Sequence, residues 1–171
     1  YSHLPADMFK HIQINAGVIA TTFAPDTGEL QKNSIVGATS GGVNFTATPT
    51  FSDYGEDIDN CPKNMKEMKR LDSWDAKASG TFVSVAAATA KLLAAAADAD
   101  GEKITPRGTL KDSDFSDMWV IGDYSEINED GTTGKAGFIA IHLMNALSTG
   151  GFQIQTGDKA KGQFAFEFTS H

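Results

Sequence analysis

Few side chains in this sequence have both the type and the spacing for chemistry. Asp53, Glu56, Asp57 and Asp59 place four carboxylates in one short stretch, a composition that suits a hard cation such as calcium. The ligand order of an EF-hand fails there. Counted from Asp57, the sixth position holds Pro62 rather than glycine, and the twelfth holds Met68 rather than glutamate. A solvated acidic loop or a charge-complementary protein contact explains the cluster instead. Gly37-Ala38-Thr39-Ser40-Gly41-Gly42 has the glycine content of a phosphate loop. It lacks the Lys-Ser/Thr pair that reaches phosphate and magnesium, and no helical pattern follows it. His3, His11, His142 and His171 are scattered without ligand spacing. His142 falls on a mostly apolar run, where a hydrogen-bonded structural or interface histidine is expected. Cys61, the one cysteine, excludes an intrachain disulfide framework, and the neighbouring carboxylates disfavour its thiolate. No G-x-S-x-G or H-E-x-x-H is present. The residues therefore predict no catalytic group, no cofactor and no metal.

The elements that must carry these residues are mostly strands, divided by glycine, proline and Asp/Asn clusters. Residues 8–14 alternate in polarity, and 17–23 are β-prone up to a turn at Ala24-Pro25-Asp26-Thr27-Gly28. Residues 37–42 read as a flexible glycine-rich stretch. Val43, Phe45 and Ala47 alternate against Asn44, Thr46 and Thr48, with Pro49 marking a sheet edge or the end of pairing. Residues 52–64 read as a long charged loop, in which the acids give way to Lys63 and then to Lys66, Lys69 and Arg70. Residues 81–85 are again β-prone. Val85, Thr89, Leu92, Leu93 and Ala96 make a narrow apolar stripe that predicts one α-helix over 86–97, stopped by Asp98–Gly101. Strands are predicted over 117–124 and 135–145, with a turn at Asn128-Glu129-Asp130-Gly131 between them. A short run follows at 150–155. Phe164, Phe166 and Phe168 then put three aromatic rings on one face of the last strand. The expected fold is mainly β (α+β): an antiparallel β-sandwich or open barrel with one flanking helix, in a single domain spanning 1–171.

Composition narrows the function classes. Apolar residues make up 40% of the chain, enough for a hydrophobic core. Acids outnumber bases 22 to 14, for a net charge of −8, which argues against a surface that grips nucleic-acid phosphates. No run reaches the roughly 18 consecutive apolar residues that would predict a membrane anchor, and no secretory signal pattern opens the sequence. Trp74 and Trp119 read as core or interface anchors rather than base-stacking platforms.

Read in order, several short blocks form a pattern. An early strand enters Asn15-Ala16-Gly17-Val18-Ile19. Ile35-Val36-Gly37-Ala38-Thr39-Ser40-Gly41-Gly42-Val43-Asn44-Phe45 follows, and then the loop Asp53-Tyr54-Gly55-Glu56-Asp57-Ile58-Asp59-Asn60-Cys61-Pro62. Gly80-Thr81-Phe82-Val83-Ser84-Val85 leads into the helix, and Gly157-Asp158-Lys159-Ala160-Lys161-Gly162 precedes the phenylalanine strand. Over residues 8–171 this order resembles the major tail tube proteins of long-tailed bacteriophages, particularly those carried as prophages by Gram-positive bacteria. The tube proteins of type VI secretion systems are similar. The resemblance implies a β-sandwich or barrel that self-assembles into stacked hexameric rings. It also implies other phage tail proteins as partners, a place in the virion after assembly in the host cytoplasm, and an extended segment beyond the last strand. DNA would pass through the lumen without specific binding, since a six-membered ring would carry roughly −48. The expected subunit interface pairs Asp53, Glu56, Asp57 and Asp59 of one copy with Lys63, Lys66, Lys69 and Arg70 of a neighbour. The competing expectation is a monomeric β-sandwich binding module for carbohydrate or calcium.

Overall fold

The computed structural model describes residues 12–13, 17–127 and 133–171, with 12–13, 124–127 and 133–136 described by backbone alone. Most of the strand expected over 8–14, His3 and His11, the block at Asn15-Ala16 and the turn expected at 128–131 lie outside the described residues. The elements in chain order are β1 (Ile12–Gln13), β2 (Val18–Ala20), β3 (Thr39–Asp53), β4 (Lys69–Phe82), α1 (Ala87–Ala94), β5 (Ala97–Asp100), β6 (Lys103–Pro106), β7 (Ser116–Ile127), β8 (Thr133–Ser148) and β9 (Phe164–Thr169). Among the described residues the fold is mainly β with one α-helix, and the strand pairs are antiparallel.

Seven strands form one sheet in the order β1-β7-β8-β9-β4-β3, with β2 also paired to β7. β8 is the seam. It runs beside β7 for most of its length, and only its last residues, Leu147 and Ser148, pair with Thr169 and Phe168 of β9. The sheet thus folds over itself at β8 and encloses a core between its two arms. It does not close: Gly17 and Ile121 on one arm and Gly42, Val43 and Ser79 on the other line a cleft of about 700 Å³. The expectation of an open barrel describes this arrangement.

The core follows from the alternation. Phe166 and Phe168 are buried, and Phe82 stacks on Phe166 with ring centroids 4.2 Å apart. Ile19, Ala78, Met118, Leu143 and Leu93 of α1 complete it. Burying each large apolar side chain of this kind contributes roughly 1.5–3 kcal/mol. Gly80 makes the aromatic contact possible. A Cβ there would lie 2.8 Å from the Phe166 ring and 3.0 Å from the carbonyl oxygen of Gly42.

Several expectations are corrected. The helix covers Ala87–Ala94 rather than 86–97, because Ala95 turns out of it with φ at +58°. Of the expected stripe, Thr89 and Leu93 are buried, and the Thr89 hydroxyl donates to the Val36 carbonyl at 2.6 Å. Asp98 and Asp100 do not stop the helix. They belong to β5, which pairs with β6 across a turn at Gly101, whose φ is +61°. Alanine favours helix over strand, so at Ala97–Asp100 tertiary anchoring overrides the local preference. Here the Arg107 backbone N–H donates to the Ala96 carbonyl at 2.8 Å, and the Arg107 side chain donates to the Ala97 carbonyl at 3.3 Å. That guanidinium also pairs with the buried Asp114 and lies 2.9 Å from Asp98 Oδ1, at an angle that makes the latter an ion contact rather than an aligned hydrogen bond.

The long charged loop is shorter than 52–64 at its start, since Ser52 and Asp53 are strand residues. β4 begins at Lys69, twelve residues before the β-prone run at 81–85, and absorbs Lys69 and Arg70. Thr39, Ser40, Gly41 and Gly42 likewise belong to β3, where φ values of +79° and +86° at the two glycines accompany a break in register between Thr39 and Val43. The run at 150–155 forms no strand, only an isolated bridge between Gln155 and Gln163.

Candidate functional site

β3 and β4 pair from Thr39 opposite Phe82 to Asp53 opposite Lys69. Near its base this hairpin is part of the core sheet, with Phe45 and Val43 packed on the buried cluster. Pairing of β4 with β9 ends at Lys77 opposite Thr169, and the Ser170 N–H reaches only as far as the Ala76 carbonyl. Beyond that point the hairpin is a two-stranded ribbon among the described residues. Every residue of β4 from Lys69 to Asp75 is exposed. Pro49 stands within this ladder opposite Trp74, tolerated because β3 is the last strand of the sheet.

The ribbon has two unlike faces. Side chains on a strand alternate, and directly opposed residues share a face. Val43, Phe45, Ala47, Pro49 and Phe51 therefore lie on one side with their partners Gly80, Ala78, Ala76, Trp74 and Leu71. Strict alternation would send Leu71 and Trp74 to opposite sides. The register shift between Thr50 and Phe51 places Asp72 as an extra residue on β4, and this bulge returns Leu71 to the Trp74 side. On the other face the Ser52 hydroxyl hydrogen-bonds the Asp72 carboxylate. The core-facing side of the hairpin is thus continued into solvent as an apolar strip. Trp74 is 61% exposed, Phe51 58% and Leu71 49%. A hairpin of two strands is marginal in water by itself, and a contiguous exposed apolar strip of this kind marks a contact surface.

All eight charged residues expected at the interface come together at the end of this ribbon. The Asp53 carboxylate accepts the backbone N–H of Gly55 at 3.0 Å and of Asn64 at 3.2 Å, so it closes its own loop. Gly55 is buried there, and a Cβ would meet Cys61 Sγ at 3.0 Å. Arg70 lies over the Tyr54 ring at 5.2 Å, and Lys66 is 3.7 Å from Glu67. Lys63 is in the loop and Lys69 opens β4 opposite Asp53. Glu56, Asp57 and Asp59 are exposed and make no ion pair among the described residues. Acids and bases therefore share one tip.

The surface residues that sequence reasoning missed are Phe51, Leu71 and Trp74 as a set. Their signal was present: two period-2 runs of matching length, 43–51 and 74–82, flank the charged loop. The bulge at Asp72, which no local pattern announces, hid the membership of Leu71. His142 lies flat on Trp119, with centroids 4.2 Å apart and 1° between planes, and its Nε2 is 3.4 Å from Asp117. Phe23 leans on the same indole at 5.6 Å, so this aromatic group is engaged within the fold. Among the described residues no three His, Cys, Asp or Glu side chains converge as metal ligands, and no helix is long and apolar enough to cross a membrane.

Fold and surface together define a mainly β protein with an open antiparallel sheet, one helix and a projecting ribbon with an apolar face. Comparisons with protein-family models, with curated proteins and with solved structures find no match to this chain.

Proposed function

We propose that the chain is a self-assembling structural subunit of a phage tail tube, forming hexameric rings that stack into a conduit for DNA. The observation that carries this reading is the apolar strip of Phe51, Leu71 and Trp74, presented on a ribbon that leaves the core and has no cover among the described residues. A strip at one end of an elongated hairpin suits a heterologous contact, in which one patch meets a different patch on the next copy. Such contacts close into rings or continue along an axis. The order of sequence blocks that resembles tail tube proteins supplies the class of assembly. On this reading the partners are further copies and other tail proteins, the final location is the virion, and the net charge of −8 per copy gives the lumen a field that repels DNA phosphates.

Negative-stain electron microscopy of the full chain at high concentration tests the proposal. Rings or tubes with an open central channel are expected. Monomers at every concentration up to the solubility limit would overturn it. A chain that stays monomeric and binds carbohydrate through the exposed Trp74 would favour a binding module instead.

A further inference from the structure

We infer that the ribbon tip of one copy seats on the segment 150–162 of the next copy; this rests on the self-assembly reading and names the surface that receives the ribbon. That segment links β8 to β9 at the opposite end of the sheet from the tip. β9 begins with Phe164 opposite Phe82, at the base of the β3–β4 ladder, whereas the tip lies at Lys69. The thirteen steps along β4 between them span about 40 Å at strand rise.

The two ends are complementary in chemistry. On the segment, Phe152 is 47% exposed and Ile154 56%. They are not loose: the Phe152 and Phe164 rings lie 6.0 Å apart, and Gln155 and Gln163 exchange backbone hydrogen bonds of 2.8 and 2.9 Å. Beside them Lys159 and Lys161 are exposed and make no ion pair among the described residues. The tip offers the counterpart, with Trp74, Leu71 and Phe51 as the apolar strip and Glu56, Asp57 and Asp59 as uncommitted carboxylates. The tip also carries Lys63, Lys66, Lys69 and Arg70, so a tip-to-tip contact is set aside on closure rather than charge: it would end at a dimer. A tip-to-segment contact pairs opposite charges and leaves a free tip and a free seat at the two ends, so addition continues.

Sedimentation velocity on the full chain tests this with two charge reversals, Asp57→Lys with Asp59→Lys and Lys159→Glu with Lys161→Glu. All four side chains are exposed, and circular dichroism verifies that the fold is kept. Each reversal alone should weaken self-association at least tenfold, and a chain carrying both should recover it. In a Cys61→Ser background, Leu71→Cys chains mixed with Ile154→Cys chains should form a heterodimeric disulfide under a mild oxidant. If the wild type assembles, both reversals assemble equally well and no 71–154 cross-link forms, the seat is wrong while the assembly reading stands. If the wild type never assembles, the assembly reading falls and the seat with it.

Discussion

Asp114 shows how one side chain holds an excursion of the chain in place. The carboxyl is kept below its ordinary pKa, first by the Lys111 backbone N–H that donates to it at 2.8 Å, and also by Arg107; burial works in the opposite direction. Because the folded pKa is lowered, the stability this group contributes is complete above the ordinary aspartate value of about 3.9 and is lost as pH falls through the folded value. Urea midpoints measured from pH 5 down to pH 2.5 should therefore fall more steeply for the wild type than for Asp114→Asn. A pH-independent difference between the two would contradict the assignment. Core residues obey a simpler rule. Phe82, fully buried and stacked on Phe166, should cost about 3–5 kcal/mol when replaced by alanine, read from equilibrium urea unfolding.

At the scale of elements, the base and the far half of the β3–β4 hairpin should respond oppositely to substitution. Gly80→Ala forces a Cβ against the Phe166 ring and the Gly42 carbonyl, and a loss of about 1–3 kcal/mol is expected in the monomer. Trp74→Ser and Leu71→Ser remove exposed side chains that lie opposite Pro49 and Phe51 on the ribbon and outside the core. They should shift monomer stability by less than about 0.5 kcal/mol, yet abolish concentration-dependent association in sedimentation. Equal association of wild type and Trp74→Ser would remove the ribbon from the contact. The helix was partly legible, because the alanine-rich run and the Thr89/Leu93 spacing announce it. Its end was not, because the signal at Ala95 is a backbone turn imposed by Arg107 and the β5–β6 hairpin rather than by a glycine cap.

For the whole molecule, a charge of −8 offers little to nucleic acid, and in the proposed ring the same sign, multiplied, would keep DNA off the wall. Electrophoretic mobility of double-stranded DNA should be unchanged by assembled protein at physiological salt. Tight, salt-sensitive retardation would argue against a conduit. The charged contacts proposed at the tip should weaken as salt rises, while the apolar strip should not.

The sequence by itself determined the strand-rich class, the single helix and the phenylalanine strand of the core, since period-2 alternation and alanine content are local properties. It also determined that the acids and bases of residues 56–70 would be exposed. Tertiary structure decided what surrounds them. Pairing across more than fifteen residues turned an expected loop into the end of a ribbon, a one-residue bulge moved Leu71 onto the apolar face, and Asp53 was taken up by its own turn. Those outcomes depend on register and on which strand ends first. Both are set by contacts between distant segments, and no local pattern encodes them.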